Sequence, residues 1–335
     1  MINNTTTQTI EYPLRIGNIS LETPLLLAPM TGFTDLPFRI TIRRLGGVGL
    51  AYTEMVNPQT VLQERSKRRR DMLATSPEDR PLGYQIYGKS PQQMAETARC
   101  LEGYGAVLID INMGCPMREI VSGGGGAALL KDPPLALSVA EAVVRAVSVP
   151  VTVKLRLGWD DESRVAADLA RGLERVGIAA ITVHGRTRAQ GYEGEVSLDG
   201  IREVVEAVDG IPVIGNGDVN SPEEALRMLR ETGCRGIMVG RGATKNPWLV
   251  RDLDRALRGL PSLPRPTLAE RWELLRAQFE RTVAHYGEQN AAVLFRKWFP
   301  VRAEQLELSR EALLRLLKIS DLDEMRRALT HHETF

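Results

Sequence analysis

Cysteine is scarce: Cys100, Cys115 and Cys234 are the only three in 335 residues. Three cannot all pair and none stand in a C-x-x-C spacing, which excludes a disulfide scaffold and points to a reduced chain. Only four histidines are present. With so few, and no ligand spacing between His and Cys, a metal centre is not expected. Aromatic residues make up 5% of the chain, too few for a broad platform on which bases could stack. Charge of one sign is lacking too. The 43 Lys and Arg face 42 Asp and Glu, a formal net charge of +1. A polyanionic partner must therefore meet a local basic patch. No apolar run reaches the ~18 residues of a membrane span. The opening Met1-Ile2-Asn3-Asn4-Thr5-Thr6-Thr7 is polar and carries neither the basic nor the apolar region of a signal peptide. The expectation is a cytoplasmic monomer.

What the sequence does have is a repeating alternation. Short apolar runs lie near Pro24–Ala28, Leu50–Thr53, Gly83–Tyr87, Val107–Ile111, Val151–Leu155, Ala179–Val183, Pro212–Ile214 and Gly236–Val239. Fully buried strands read as such runs. Amphipathic segments separate them: Pro91–Tyr104, Pro134–Val147, Glu162–Val176, Leu198–Val208 and Pro222–Glu231. Three open on a proline, which suits the first turn of a helix. Eight strands alternating with helices predict a parallel sheet closed into an α/β (β/α)₈ TIM barrel. An open doubly wound sheet fits less well, because the first strand–helix turn lacks G-x-G-x-x-G. Past Trp248 the pattern changes. A proline-rich linker, Gly259–Pro266, precedes segments that read as helix only, such as Leu268–Tyr286 and Arg310–Leu317. The expected division is a catalytic barrel over residues 1–255 and a small C-terminal helical domain over 262–335. Extra helices on the barrel wall are the alternative.

In a barrel the residues just past each strand converge on one face. Here they form a polar set: Pro29, Met30 and Thr31 after the first strand, Gln85 on the third, Asn112 and Cys115 after the fourth. Lys154 and Arg156 lie on the fifth, His184 and Arg186 after the sixth, Asn216, Gly217 and Asp218 after the seventh, and Gly240 and Arg241 after the eighth. A lysine inside a parallel strand reaches water only at the barrel mouth. His184 is the only histidine before residue 285 and ends a strand. Glycine-rich loops after strands seven and eight occupy the place where many barrels hold a phosphate on backbone N–H groups, and Arg241 can add charge-assisted bonds. A phosphate site, a buried lysine and the amides of Gln85 and Asn216 together fit flavin mononucleotide (FMN) across the mouth. In that reading Lys154 stabilises negative charge on the reduced ring, Gln85 bonds its edge, and Cys115 faces its open side as an acid. Taken alone, a free cysteine is as often a small buried hydrophobe.

These residues lie in motifs that resemble a known family, the tRNA-dihydrouridine synthases. The motifs are Ala28-Pro29-Met30-Thr31-Gly32-Phe33-Thr34-Asp35, Asp110-Ile111-Asn112-Met113-Gly114-Cys115-Pro116, Val153-Lys154-Leu155-Arg156-Leu157-Gly158, Val183-His184-Gly185-Arg186-Thr187-Arg188, Gly215-Asn216-Gly217-Asp218 and Gly240-Arg241-Gly242 with Asn246-Pro247-Trp248. The match runs from about residue 15 to 250 and is closest to the bacterial branch. It implies reduction of the C5–C6 double bond of a uridine in folded RNA by FMN, recharged by NADPH or NADH. It implies Cys115 as the acid that protonates C5, and Asn112 beside the substrate base. It implies Pro29, Met30, Thr31, Gln85, Lys154, His184, Asn216, Gly217, Asp218, Gly240 and Arg241 around FMN. One stretch departs. Where the family has a basic segment after Cys-Pro, this chain reads Met117-Arg118-Glu119-Ile120-Val121-Ser122-Gly123-Gly124-Gly125-Gly126. Four glycines predict a loose loop.

An RNA partner needs phosphate contacts. The candidates are Arg39, Arg43 and Arg44, the cluster Arg65–Arg70 with Lys67 and Arg69, Arg186, and Arg271, Arg276, Arg281, Arg296 and Lys297 in the helical region. The partner expected is transfer RNA, with ribosomal RNA as the alternative. Two competing readings are a small-molecule flavin oxidoreductase of dihydroorotate or ene-reductase type, since a barrel alone does not fix function, and an RNA-binding protein with a vestigial flavin site.

Overall fold

The structure is a computed structural model that describes residues 13–63 and 67–331. Ten strands lie in two sheets. β1 (Leu14–Ile16) and β2 (Ile19–Leu21) form an antiparallel hairpin. β3 (Leu25–Leu27), β4 (Leu50–Tyr52), β5 (Leu82–Ile86), β6 (Leu108–Met113), β7 (Val151–Arg156), β8 (Ala180–His184), β9 (Val213–Asn216) and β10 (Gly236–Val239) pair in parallel, each with the next, and β10 closes on β3. The chain is thus a (β/α)₈ barrel. All eight runs read from the sequence are strands, shifted by a residue or two.

Successive side chains on a strand face opposite ways. On β3, Leu25 and Leu27 pack outward against the helices while Leu26 points into the barrel. The same alternation places Leu50, Tyr52, Leu108, Ala180, Ile214 and Met238 inside. The hairpin was not foreseen. Its Leu14, Ile16 and Leu21 join that interior cluster. Gly17 at its turn lies against Pro150 and Ala179, which precede β7 and β8, so the hairpin plugs the N-terminal end. Its strands are three residues long, too short to stand out in a periodicity search.

The C-terminal helices are Leu268–Tyr286, Glu288–Phe295, Trp298–Arg302, Arg310–Leu316 and Leu322–Thr330. The first opens on a capping box between Thr267 and Glu270. These helices share one core with the barrel wall. Trp298 stacks on Phe38 with ring centroids 4.9 Å apart and meets Phe33 edge-on at 5.3 Å. Buried Arg302 donates to the Thr244 carbonyl and to Gln278 Oε1. Among the described residues no helix is long and apolar enough to cross a membrane.

Candidate active site

Inward alternation continues up each strand, but the residue type changes. The apolar layer gives way at the C-terminal end to Gln85, Asp110, Asn112, Thr152, Lys154, Thr182, His184 and Asn216, all but Lys154 at most 8% exposed. Buried polar groups must be bonded to one another or they cost stability. Asp110 accepts from Gln85 Nε2 at 2.6 Å and from Thr152 Oγ1 at 2.6 Å. Gln85 Oε1 accepts from Asn112 Nδ2 at 2.8 Å. Asn112 Oδ1 then accepts from the N–H groups of Gly114 at 3.1 Å and Cys115 at 2.9 Å. That last pair fixes the turn that presents Cys115. Burial pushes the Asp110 carboxyl up to about 6 against the pull of Gln85 and Thr152.

Cys115 is half-buried. Burial pushes its thiol up, opposed by a hydrogen bond at Met117 and by the cations Arg156 and Lys154. The thiol is therefore protonated at neutral pH, the state of an acid rather than a nucleophile. Arg156 braces the turn. Its Nε donates to the Gly114 carbonyl at 2.8 Å and its Nη1 to the carbonyls of Thr187 at 2.9 Å and Gly191 at 2.6 Å. It ties the loops after β6 and β8 together.

Lys154 donates to Asn216 Oδ1 at 2.8 Å, and Asn216 Nδ2 donates to the Met238 carbonyl at 2.8 Å. Burial lowers Lys154 to about 8, helped by Arg156. Its direct partner is a neutral amide, so two of its three N–H groups remain for a ligand. His184 is held neutral, first by burial and then by Lys154, Arg156, Arg186 and Arg241.

The loops after β9 and β10 are tightly fitted. A Cβ on Gly217 (φ +124°) would lie 2.7 Å from Val196 and 3.0 Å from His184, and one on Gly242 would lie 2.7 Å from the Val219 carbonyl. The helix Arg241–Lys245 starts directly on β10, and its first N–H groups have no intrahelical acceptor. Half-exposed Arg241 pairs with Asp218 at 2.8 Å, and Arg186 binds the other oxygen of that carboxylate. Tyr192 lies between Arg156 and Arg241, 5.3 and 4.5 Å from its ring. Met30 reaches this cradle from the loop after β3, near Gly240. Half-buried Pro29 and exposed Thr31 flank it.

This donor set fits FMN. A half-buried lysine without a directly bonded carboxylate suits an electron-rich ring, and a glycine loop, an opening helix and Arg241 suit a phosphate. Among the described residues no group of three or more His, Cys, Asp or Glu is placed to hold a metal ion.

The RNA candidates divide. Arg39 is 1% exposed and clamps Asp79 through Nε and Nη2, with Nη1 and Nη2 also donating to the carbonyls of Thr34 and Ala74. It is a structural cation, and the sequence reading of it as a phosphate contact is corrected. Arg186 is buried and bonded to Asp218 and the Glu193 carbonyl. Arg296 donates to the Ile319 and Lys318 carbonyls. Burial takes Arg186 out of reach of an RNA phosphate, whereas Arg296 is only half-buried. Arg69 stacks on Tyr104 at 5.1 Å. Lys67 pairs with Asp71 and Lys297 with Asp35. Arg65 lies outside the described residues, as does the side chain of Arg68. Lys67 lines a cleft of ≈ 500 Å³ between barrel loops (Thr31, Glu54, Met55, Tyr87) and the helical region (Tyr286, Asn290). Met55 Sδ lies 3.5 Å from Asn112 Nδ2, so the cleft borders the cysteine turn.

The glycine run is not loose, which corrects the expectation from composition. Gly124 and Gly125 donate to Val121 and Ile120. Gly126 (φ +57°) abuts Cys115: a Cβ there would lie 2.8 Å from the Cys115 carbonyl oxygen. Sequence reasoning missed Asp110, Thr152, Tyr192 and the role of Arg156. Counting back by two from Asn112 along β6 finds Asp110.

The comparisons with known proteins agree. A "Probable tRNA-dihydrouridine synthase" of Rickettsia conorii is 41% identical over 85% of this chain and 85% of its own length. The "tRNA-dihydrouridine synthase B" of Pseudomonas aeruginosa is 40% identical over 92% of each. Among solved structures, histamine dehydrogenase from Rhizobium sp. 4-9 covers 82% of this chain and 51% of that one (TM-score 0.55, 14% identity). A morphinone reductase mutant in complex with tetrahydroNAD covers 76% and 92% (TM-score 0.54, 15% identity). At such identities these two share the barrel and nothing finer. The family described as dihydrouridine synthase (Dus) matches residues 26–329, so the chain belongs to the dihydrouridine synthase family and is an oxidoreductase.

Proposed function

We propose that this protein reduces the C5–C6 double bond of a uridine in folded tRNA, with FMN as resident cofactor and NADPH as electron donor. The observation that supports it most is the turn at the barrel mouth that presents Cys115, held by Asn112 Oδ1 accepting from the N–H groups of Gly114 and Cys115. Lys154, Gln85, His184 and Asn216, with Pro29, Met30 and Thr31, would hold the flavin ring. The backbone N–H groups of Gly217, Asp218 and Gly240 would hold its phosphate, with the Arg241 side chain leaving the Asp218 carboxylate to join them. When bound, FMN supplies the hydride for C6 of the uracil. Every other part falls to the chain. Asn112 and the turn it bonds orient Cys115, whose Sγ gives its proton to C5. Arg156 and Lys154 favour the thiolate left behind. Half exposure of Cys115 lets solvent restore the proton.

Extruding the base into the mouth costs stacking energy, so affinity must come from phosphate contacts. The cleft beside Met55 and Tyr286 supplies the approach, and the helical region from 262 onward supplies the RNA-binding surface, with Lys67 and Lys297 at the join. The test is anaerobic. The flavin is reduced with NADPH, the donor is removed, and unmodified tRNA is added while flavin absorbance is followed. Reoxidation with dihydrouridine in the RNA is the expected result. A flavin that stays reduced with tRNA but reoxidises with a small enone or orotate would replace this reading with the small-molecule one.

A further inference from the structure

The glycine run raises a question of charge. Between Cys115 and Gly126 the chain carries one cation, Arg118, and beside it one carboxylate, Glu119. The structure shows what lies over the run instead. Gly124 adopts φ +81°, and a Cβ on it would lie 2.6 Å from Cδ and 3.3 Å from Nζ of Lys89. Lys89 comes from the loop after β5, so a neighbouring loop delivers the cation. A Cβ on Gly125 would lie 3.4 Å from the Gly88 nitrogen and the Tyr87 ring, so the two loops run side by side. Two residues on, Gly126 touches Cys115. Lys89 is exposed, and among the described residues it makes no hydrogen bond or ion pair. Several surface arginines, among them Arg44, Arg227 and Arg258, are by contrast paired with carboxylates.

Lys89 also lines a second cleft, of ≈ 550 Å³. Amide side chains of Asn57, Gln59, Gln63 and Gln93 surround it, with Glu119 as its one carboxylate. It shares Asn57, Tyr87 and Ile120 with the cleft that borders the cysteine turn, so the two lie side by side. The helix Pro91–Gly103 begins at its edge, capped by Ser90. Positive charge, amide donors and a helix start suit a phosphate.

We propose that this second cleft holds a backbone phosphodiester of the RNA substrate close to the reduced uridine, with Lys89 as its cationic contact and Gly124 as the residue that makes room for it. The proposal rests on the RNA reading above. Its test uses the flavin-loaded enzyme and its K89Q, K89R and G124A variants. RNA affinity is measured over a salt series by filter binding, and flavin reduction by NADPH is timed separately. One lost phosphate contact lowers the slope of log affinity against log salt by about 0.7–0.9. K89Q is expected to show that drop and a several-fold rise in the KM for tRNA, with flavin reduction at the parental rate. K89R is expected to restore the slope. G124A, whose new Cβ displaces Lys89, is expected to resemble K89Q, and if it fails to fold K89Q decides. An unchanged slope in K89Q overturns the proposal. Slower reduction by NADPH with unchanged RNA affinity also overturns it, because the phosphate would then be the dinucleotide's. Failure of the parent to reduce uridine in any RNA is seen before a variant is made, and it removes the functional reading itself.

Discussion

The two ends of the barrel are built from the same strands and serve opposite purposes. At the N-terminal end Leu14, Ile16 and Leu21 of the hairpin meet Leu26, Leu50, Leu108 and Ile214 in a dry layer. At the C-terminal end Gln85, Asp110, Asn112, Thr152 and Lys154 form a bonded polar layer. A few residues of strand separate them. The lower layer gains free energy from burial. The upper layer gives part of that up, since a half-buried lysine and a buried carboxyl are costly to desolvate, and gains perturbed groups in return. Stability and chemistry are thus sorted by height along the strands.

That sorting can be broken from either end. The largest effect is expected at the top: Cys115→Ala removes the acid and lowers dihydrouridine formation by about 10²–10⁴-fold, while thermal unfolding shifts little. Equal product from parent and variant, counted by mass spectrometry of the RNA, would take Cys115 out of the chemistry. At the bottom, Ile16→Ala leaves a hole in the plug and costs about 2–5 kcal/mol, read as a lower urea midpoint. Flavin content and the rate per folded molecule should hold, and a selective loss of rate would show that the two ends are coupled. The third effect is gradual. Lys154 is cationic below about 8 and neutral above it, so turnover should fall as pH rises through that value. Lys154→Met should lack this limb. A falling limb retained in that variant would assign it to another group.

The comparison also explains what could be read from sequence. Eight buried strands announce themselves because both faces are apolar, and Leu25-Leu26-Leu27 is as plain a run as any. Cys115, Lys154 and the loops after β9 and β10 were legible because each departs from such a run. The hairpin was not, because three-residue strands carry no period. Nor were the fates of the arginines. Arg39 and Lys67 look alike in a list of basic residues, yet one is buried on Asp79 and the other sits at a cleft. Asp79 lies 40 residues from Arg39, and only the folded chain brings them together. The glycine run misled for a related reason. Glycine permits looseness, but whether it is loose depends on what packs there.

Trp298, wedged between Phe38 and Arg302, has a consequence for how a target would be chosen. It joins the helical region to the barrel within a single core, so a hinge between the two would have to break that packing. Under the proposed function the enzyme works as a fixed gauge. An RNA gripped by the helices meets Cys115 at one set distance and angle, and the uridine that falls at that point is selected by reach rather than by its sequence neighbours. Changing the target would then mean moving the grip, since the reacting group stays where the barrel holds it.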